Sequence, residues 1–533
     1  MSSRLDLSHW LPQTTGGHIE QTIGAALQDA ASQWGDHLAL VEGLLDDSAR
    51  TWTFSQLETA AIVVARALLT EFEPGDRIAV WSTNRPEWVL LQFGVALAGM
   101  TLVTVNPAYN RQEAEFVLTH SRSVAVFVEP NVRSRDLLQV AHDVRSACPR
   151  LHSVISLNDW DQFIARAGGG PRELPLVRPV DPAQIQYTSG TTGVPKGALL
   201  AHHGLVLNGK LYATTIGANS DDVWINPMPL FHTAGCGLVT LGALQTGGTH
   251  VLPPTFDPDL VLDLFAQHRG TVFLSVPTML IRVLQAHSQR RRDITHWRLA
   301  TLGGAHVPVE LVRRAETELN VSVGIGYGQT ESSPYIAHTR PRDPHHRWER
   351  TVGQPLPFVE VKISDMNTGE PTAIDTSGEI CTRGPCVMLG YADNPDATSQ
   401  TVDQDGWLHT GDIGTLDAAG YLRIEGRLKD MIIRGGENIY PREVEDVLNR
   451  ADEVQNAAVV GLPDEEWGEV VAAFIQLRPG STITPNELEN HCRQHLSSFK
   501  VPRIWEFVSE FPQTSTGKIQ KFALRDAFCN LGR

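Results

Sequence analysis

From residue 54 onward the apolar pattern alternates between two periods, and this alternation limits the fold more than any other feature. In "FSQLETAAIVVARALL", Leu57, Ala60, Ala61, Val64, Ala65 and Leu68 recur at helical spacing, and Ser55 with Glu58 has the form of a capping box. The chain turns at Pro74 and Gly75 into "DRIAVWS", a short apolar strand. A helix "RPEWVLLQFGVALAGM", a strand "TLVTVNP", a helix "RQEAEFVLTHS" and a strand "VAVFVEP" follow. Strands separated by whole helices must run parallel, with the helices as crossovers on the sheet faces. The predicted class is therefore α/β.

The same pattern returns from roughly 180 to 340, in "AQIQYTS", "LVLNGKLYATTIG", "DVWINPMP", "RLATLGGA" and "VSVGIGYG". Beyond 350 the helices thin out, and "FVEVKISD", "SGEICTRG" and "GYLRIEGRLKDMIIRGG" predict closely spaced strands between Gly/Asp turns. From about 430 a compact mixed unit is expected: a helix "PREVEDVLNR", strands "QNAAVVGLP" and "EVVAAFIQL", a helix "TPNELENHCRQHL", and a tail ending in "TSTGKIQK". We expect a large N-terminal domain, residues 1–427, of parallel-rich sheets with helical crossovers plus a β-rich subdomain. A small C-terminal α+β domain, residues 428–533, should follow it. At 533 residues the chain has ample length for two domains with their own cores.

The densest chemistry is in "YTSGTTGVPKG", Tyr187 to Gly197. Its glycines leave backbone N–H groups uncovered, Thr188, Ser189, Thr191 and Thr192 add hydroxyls, and Lys196 adds a mobile positive charge. So many donors with no acid among them suit an oligophosphate. A flexible surface turn would account for the glycines but not for the clustered hydroxyls and lysine. The order differs from a Walker loop, because Lys196 precedes its glycine. Gly204, Gly209 and Lys210 do meet Walker spacing, but Leu211 stands where the Mg²⁺-binding hydroxyl belongs, and the segment reads as apolar helix.

Bulk properties exclude several classes. A formal net charge of −17 argues against general nucleic-acid binding. Arg290, Arg291 and Arg292 are read as a solvated helix end, and His345 with His346 as a surface loop without a third metal ligand. No apolar run approaches the roughly 18 residues of a spanning helix. The opening "MSSRLDLSHWLPQTTGG" lacks the apolar core of a secretory leader. Six cysteines scattered without Cys-x-x-Cys spacing suit a reducing compartment and argue against structural zinc, so a cytoplasmic protein is expected.

Further stretches combine glycine with reactive side chains: "PLFHTAG" around His232, "GGA" at Gly303 to Ala305, "GYGQTE" at Gly326 to Glu331, "HTGD" placing Asp412 in a tight turn, and "TSTGKIQK" with Lys518. Segments after strands lie at carboxyl strand ends, where open α/β sheets bind ligands. Together and in this order, the motifs closely resemble the adenylate-forming (AMP-binding) superfamily of acyl-CoA synthetases, nonribosomal adenylation domains and beetle luciferases. "VNPAYNRQEAEFVL", "GTVFLSVPTML" and "DMIIRGGENIYPREVE" are most similar to medium-chain fatty acyl-CoA ligases.

The resemblance implies ATP, Mg²⁺ and coenzyme A as reactants or cofactors. It implies that Thr188, Ser189, Gly190, Thr191, Thr192, Gly193 and Lys196 grip the β- and γ-phosphates, with Glu331 and Thr191 as Mg²⁺ ligands and Thr330 on the α-phosphate. Gly303, Gly304, Ala305 and Tyr327 would form the adenine slot, and Asp412 with Arg427 the ribose site. His232 would position the carboxylate, and Lys518 would bridge that carboxylate and the α-phosphate. Lys429 matches a hinge, and Gly435 and Gly436 of "RGGEN" match a pantetheine tunnel.

Some long-chain relatives carry a gate tryptophan four residues after the histidine, where this chain has Cys236 among Thr233, Ala234 and Gly235. A wider or shorter pocket for an apolar acid, medium-chain or aryl, is expected. The implied enzyme is an AMP-forming carboxylic acid–CoA ligase, as monomer or homodimer. The alternatives are a stand-alone adenylation enzyme loading a carrier protein, a luciferase-like oxidative outcome, and a nucleotide sensor without turnover. The sensor is disfavoured because Glu331, Asp412, His232 and Lys518 are all present.

Overall fold

The computed structural model describes residues 4–13, 20–169, 173–188, 195–341, 343, 351–435, 437–464, 466–513 and 519–530, the side chains of 529 and 530 excepted. The chain divides into two compact units. One comprises Leu11–Val361 and Thr382–Leu408; the other comprises Met1–Trp10, Lys362–Cys381 and His409–Arg533.

The larger unit is α/β, built on two sheets. A seven-stranded sheet runs in the spatial order Gly390–Tyr391, Lys196–Ala201, Pro182–Thr188, Thr101–Val105, Arg77–Trp81, Ala125–Val128, Ser153–Ser156. Its five strands from Pro182–Thr188 onward are parallel, as the alternating pattern predicts. A nine-stranded sheet is parallel from Leu38–Glu42 through Thr249–Leu252, Val223–Ile225, Val272–Ser275 and Leu299–Leu302 to Ser322–Gly328, and antiparallel strands extend it at both edges.

Helix Pro86–Leu97 explains why the core beside the first sheet is dense: each of its twelve residues is buried. It meets helix Phe54–Leu68 at Gly94, where an added Cβ would lie 2.3 Å from Val64 Cγ1. A glycine is needed for that approach, because interiors have no spare volume to yield. Leu57, Ala61, Val64, Ala65 and Leu68 are buried as their spacing predicts.

The capping box of that helix is Thr53 with Gln56, not Ser55 with Glu58. The Gln56 backbone N–H donates to Thr53 Oγ1 at 3.3 Å, and Gln56 Oε1 accepts the Thr53 N–H at 2.9 Å. The Ser55 N–H is taken by the Gly35 carbonyl, so the helix begins two residues early. The arginine run is a solvated helix end at Arg290 and Arg291, which are exposed, but not at Arg292. Arg290 and Arg292 pair with Asp259 and Asp263, one turn apart on helix Pro258–His268, and the Arg292 side chain is only 5% exposed. Gly204 to Leu211 lies inside the apolar helix His202–Thr215. His345 and His346 fall outside the described residues.

The smaller unit holds most of a five-stranded sheet, in the order His9–Trp10, Glu360–Ser364, Gly378–Arg383, Leu408–Leu416, Leu422–Arg427. A second sheet is formed by Glu437–Ile439, Ile432–Arg434, Gly468–Leu477 and Val454–Asp464, with Ile504–Phe507 beside Gly468–Leu477. Helices Pro441–Leu448 and Pro485–His495 cover it through Val444, Val447, Leu448, Leu488 and Cys492, so the part beyond 430 is the mixed α+β unit expected. Among the described residues, no helix is long and apolar enough to cross a membrane.

Candidate functional site

The glycine-rich loop connects two antiparallel strands, Pro182–Thr188 and Lys196–Ala201, in which Thr188 faces Lys196 in the register. Ser189, Gly190, Thr191, Thr192 and Gly193 lie outside the described residues. The next described element after the loop is the strand Lys196–Ala201 and not a helix, so the helix N-terminus that shares in holding the anion in a Walker loop does not follow directly.

Behind that hairpin stands a charged chain of contacts. Lys196 Nζ lies 5.0 Å from the centroid of the Tyr391 ring, a cation–π distance. The Tyr391 hydroxyl donates to Glu331 Oε1 at 2.8 Å. Burial, reinforced by the Glu331 charge, pushes the Tyr391 hydroxyl pKa up, so it remains a donor. Glu331 sits on the short turn Thr330–Ser332, only 8% exposed, with Thr330 beside it, and the Glu331 carbonyl accepts the Met388 N–H at 2.8 Å. A carboxylate this sheltered persists only with partners.

"GGA" and "GYG" become neighbours because Leu299–Leu302 and Ser322–Gly328 pair in parallel, Leu302 opposite Ile325. A Cβ at Gly303 would lie 2.5 Å from Tyr335 Oη and 3.1 Å from the Gly326 carbonyl, so this shelf is bare backbone by necessity. Gly304 follows at φ +74°. Tyr327 is half-buried on the second strand, opposite Ala337.

His232 lies in the link between strand Val223–Ile225 and a π-helical segment, Ala234–Val239. Asn84 clamps that link, accepting the Leu230 N–H at 2.9 Å and donating to the Met228 carbonyl at 3.1 Å. The His232 ring lies 4.6 Å from the Phe231 ring, centroid to centroid. Cys236, one turn on, is fully buried beside three carboxamides. Gln186 Nε2 lies 3.1 Å from its sulfur, Gln184 Oε1 lies 3.4 Å from it, and Gln92 Nε2 donates to its carbonyl at 3.0 Å. Burial pushes the Cys236 thiol up to about 12, which keeps it neutral.

In the smaller unit, Asp412 is not in a tight turn but inside the nine-residue strand Leu408–Leu416. The turn-like sequence reflects Gly411, whose φ of +69° bends the strand. Asp412 faces Arg427 in the register, with Arg427 Nε 3.4 Å from Asp412 Oδ1. Lys429 follows in the turn Leu428–Asp430. Gly435 takes φ +59°, and a Cβ there would meet the Trp467 ring at 2.8 Å. Gly436 and Lys518 lie outside the described residues.

Comparison with known proteins gives this arrangement a context. The AMP-binding enzyme family matches residues 27–392, and the AMP-binding enzyme C-terminal domain matches residues 443–518. The chain belongs to this family of adenylate-forming enzymes. Among curated relatives, the mitochondrial medium-chain acyl-CoA ligase ACSF2 of Rattus norvegicus is 36% identical, over 98% of this chain and 89% of its own. A methyl-dioxo-octahydroindenyl propanoyl:CoA ligase of Mycobacterium tuberculosis is 37% identical, over 95% and 99%. The ATP-bound MatB structure from Rhodopseudomonas palustris superposes with a TM-score of 0.86 at 28% identity, covering 96% of this chain and all of that one. The chain is an adenylate-forming enzyme of the acyl-CoA ligase group, as the resemblance implied.

Two residues escaped the sequence reading. Tyr391 carried a signal only in "GY" before an Asp/Asn turn. Glu379 carried none, yet its Oε1 accepts the Gly411 N–H at 3.1 Å and steadies the approach to Asp412.

Proposed function

We propose that the chain activates an apolar carboxylic acid, medium-chain or aryl, to an acyl-adenylate with release of pyrophosphate, and then transfers the acyl group to coenzyme A. The observation that carries this reading is Glu331, a sheltered carboxylate held by Tyr391 beside the lysine that closes the glycine-rich hairpin. A carboxylate is a poor acyl donor until its oxygen leaves as part of AMP. The first step brings that anion against the α-phosphate, and the repulsion must be screened.

In this reading the loop of Thr188 to Lys196 holds the β- and γ-phosphates, Thr330 the α-phosphate, and Gly303 to Ala305 with Tyr327 the adenine. Asp412 with Arg427 holds the ribose, and His232 orients the acid. The carboxylate oxygens of Glu331 and the hydroxyl of Thr191 are the hard oxygen donors that Mg²⁺ prefers. These residues fit the ion, which when bound would neutralise phosphate charge. Lys518 would bridge the two anions in the first half-reaction, on a mobile C-terminal domain, residues 428–533.

The second half-reaction needs other groups at the same centre, so that domain would turn at Lys429 and bring Gly435 and Gly436 to the thiol arm. Lys429→Pro, which fixes φ, is expected to spare adenylation and stop thioester formation; an unchanged overall rate would refute the hinge. We place the enzyme in a reducing compartment, the cytoplasm, because the five described cysteine side chains are all buried and unbridged. Pyrophosphate release across a panel of carboxylic acids, with and without coenzyme A, tests the proposal. Acid-dependent release with thioester product is expected. Acid-dependent exchange without thioester would point to carrier-protein loading, and release indifferent to acid would refute both.

A further inference from the structure

The smaller unit brings together three ligand-forming side chains to which the adenylation reading assigns no direct contact with a reactant. Glu379 and Cys381 are two residues apart on strand Gly378–Arg383 and so share one face. His409 comes from the neighbouring strand, Leu408–Leu416. His409 Nδ1 lies 2.8 Å from Glu379 Oε2 and 3.5 Å from Cys381 Sγ, and that sulfur lies 4.0 Å from the same carboxylate oxygen.

This triangle has the dimensions of a metal site. Tetrahedral zinc, with bonds of about 2.0–2.1 Å to nitrogen and oxygen and about 2.3 Å to sulfur, sets its ligands about 3.3–3.6 Å apart. Each observed edge is within about half an ångström of that range, so rotamer adjustment suffices. Three atoms of three element types converge, and the strands beneath them fix their backbones. The sulfur is fully buried, while the His409 and Glu379 side chains remain 33% and 17% exposed. An ion therefore has a route in from solvent, and a water can take the fourth position.

We propose that Glu379, Cys381 and His409 form a binding site for a thiophilic divalent cation of the zinc class. Binding forms bonds to the sulfur, to Nδ1 and to Oε2. It releases to solvent the thiol proton and the proton shared between His409 and Glu379, with no change of oxidation state. Mg²⁺ does not compete, because it is hard and demands octahedral oxygen ligands. The site is distinct from the carboxylate at Glu331. It lies three residues before Asp412 along the strand, and Glu379 spans both features, since its second oxygen holds the Gly411 N–H.

The test is titration of the metal-stripped full chain with Co²⁺ in excess Mg²⁺. One equivalent should bind with a thiolate-to-cobalt charge-transfer band and the visible bands of a tetrahedral ion, and Zn²⁺ should bleach both. Cys381→Ser should abolish the charge-transfer band, and His409→Gln should weaken Co²⁺ binding at least ~10-fold. Zn²⁺ should raise the melting temperature of the wild type and not of Cys381→Ser, since a ligand that binds the native state stabilises it. A wild type that binds no stoichiometric Co²⁺ overturns the proposal without recourse to variants. So does a band that survives in folded Cys381→Ser, or an unchanged Co²⁺ affinity in folded His409→Gln, leaving the three side chains as a plain histidine–carboxylate pair beside a thiol.

Discussion

The strand pair Pro182–Thr188 and Lys196–Ala201 is furnished differently along its length. Toward its middle, Gln184 and Gln186 meet Gln92 and Cys236 in a buried cluster with no formal charge. At its open end, Lys196, Tyr391 and Glu331 form a chain carrying full charges. The neutral cluster is incompletely paired: among the described residues, Gln92 Oε1 and Gln184 Nε2 are buried without a partner. Each such atom costs about 1–3 kcal/mol. Charge sits on the side proposed for the phosphates, and neutral hydrogen-bonding groups sit near His232, on the side proposed for the acid. A charge on that side would compete with the carboxylate for its partners.

Substitutions on the two sides should therefore affect different reactants. The largest effect is expected for Glu331→Gln: adenylation should fall roughly 100- to 1,000-fold while KM for the acid stays within about twofold. Equal losses on both reactants, in steady-state kinetics, would break the division. Tyr391→Phe removes one hydrogen bond to a charged group, a loss of about 1.5–3 kcal/mol, and should lower kcat/KM for ATP roughly 10- to 100-fold. Its dependence on acid concentration should not move. The smallest effect is expected for Gln184→Leu, which removes an unpaired donor, Nε2, together with an acceptor, Oε1, that Gln186 Nε2 reaches at 3.0 Å. It should leave KM for ATP unchanged, alter KM for the acid by less than about tenfold, and move the melting temperature little, since the two changes oppose each other. A fall in ATP affinity would show that the neutral cluster belongs to the nucleotide side.

What the sequence made legible depended on distance along the chain. The loop from Thr188 to Lys196, the Thr330 and Glu331 pair and the glycines at 303 and 304 stood out as candidates because each motif carries its chemistry within a few residues. Tyr391 and Glu379 did not, since each acts on a partner delivered by sheet pairing: Tyr391 on Glu331, sixty positions away, and Glu379 on His409 and Gly411. The alternating helices and strands were legible because burial imposes their periods, as in the helix Pro86–Leu97. Their ends were less so. Ser55 and Thr53 both begin plausible capping boxes, and the choice was made by the Gly35 carbonyl, which no local pattern reveals. Asp412 followed the same logic, since a Gly-Asp pair suits a turn as well as a strand with one residue at positive φ.

The division of labour between the two half-reactions is tested most directly by single-turnover kinetics on Lys518→Ala, which removes the proposed bridge between the two anions. Acyl-adenylate formation from ATP and the acid should fall at least ~100-fold, while thioester formation from supplied acyl-adenylate and coenzyme A should keep its wild-type rate. An equal fall in both rates, or no fall in the first, would contradict it.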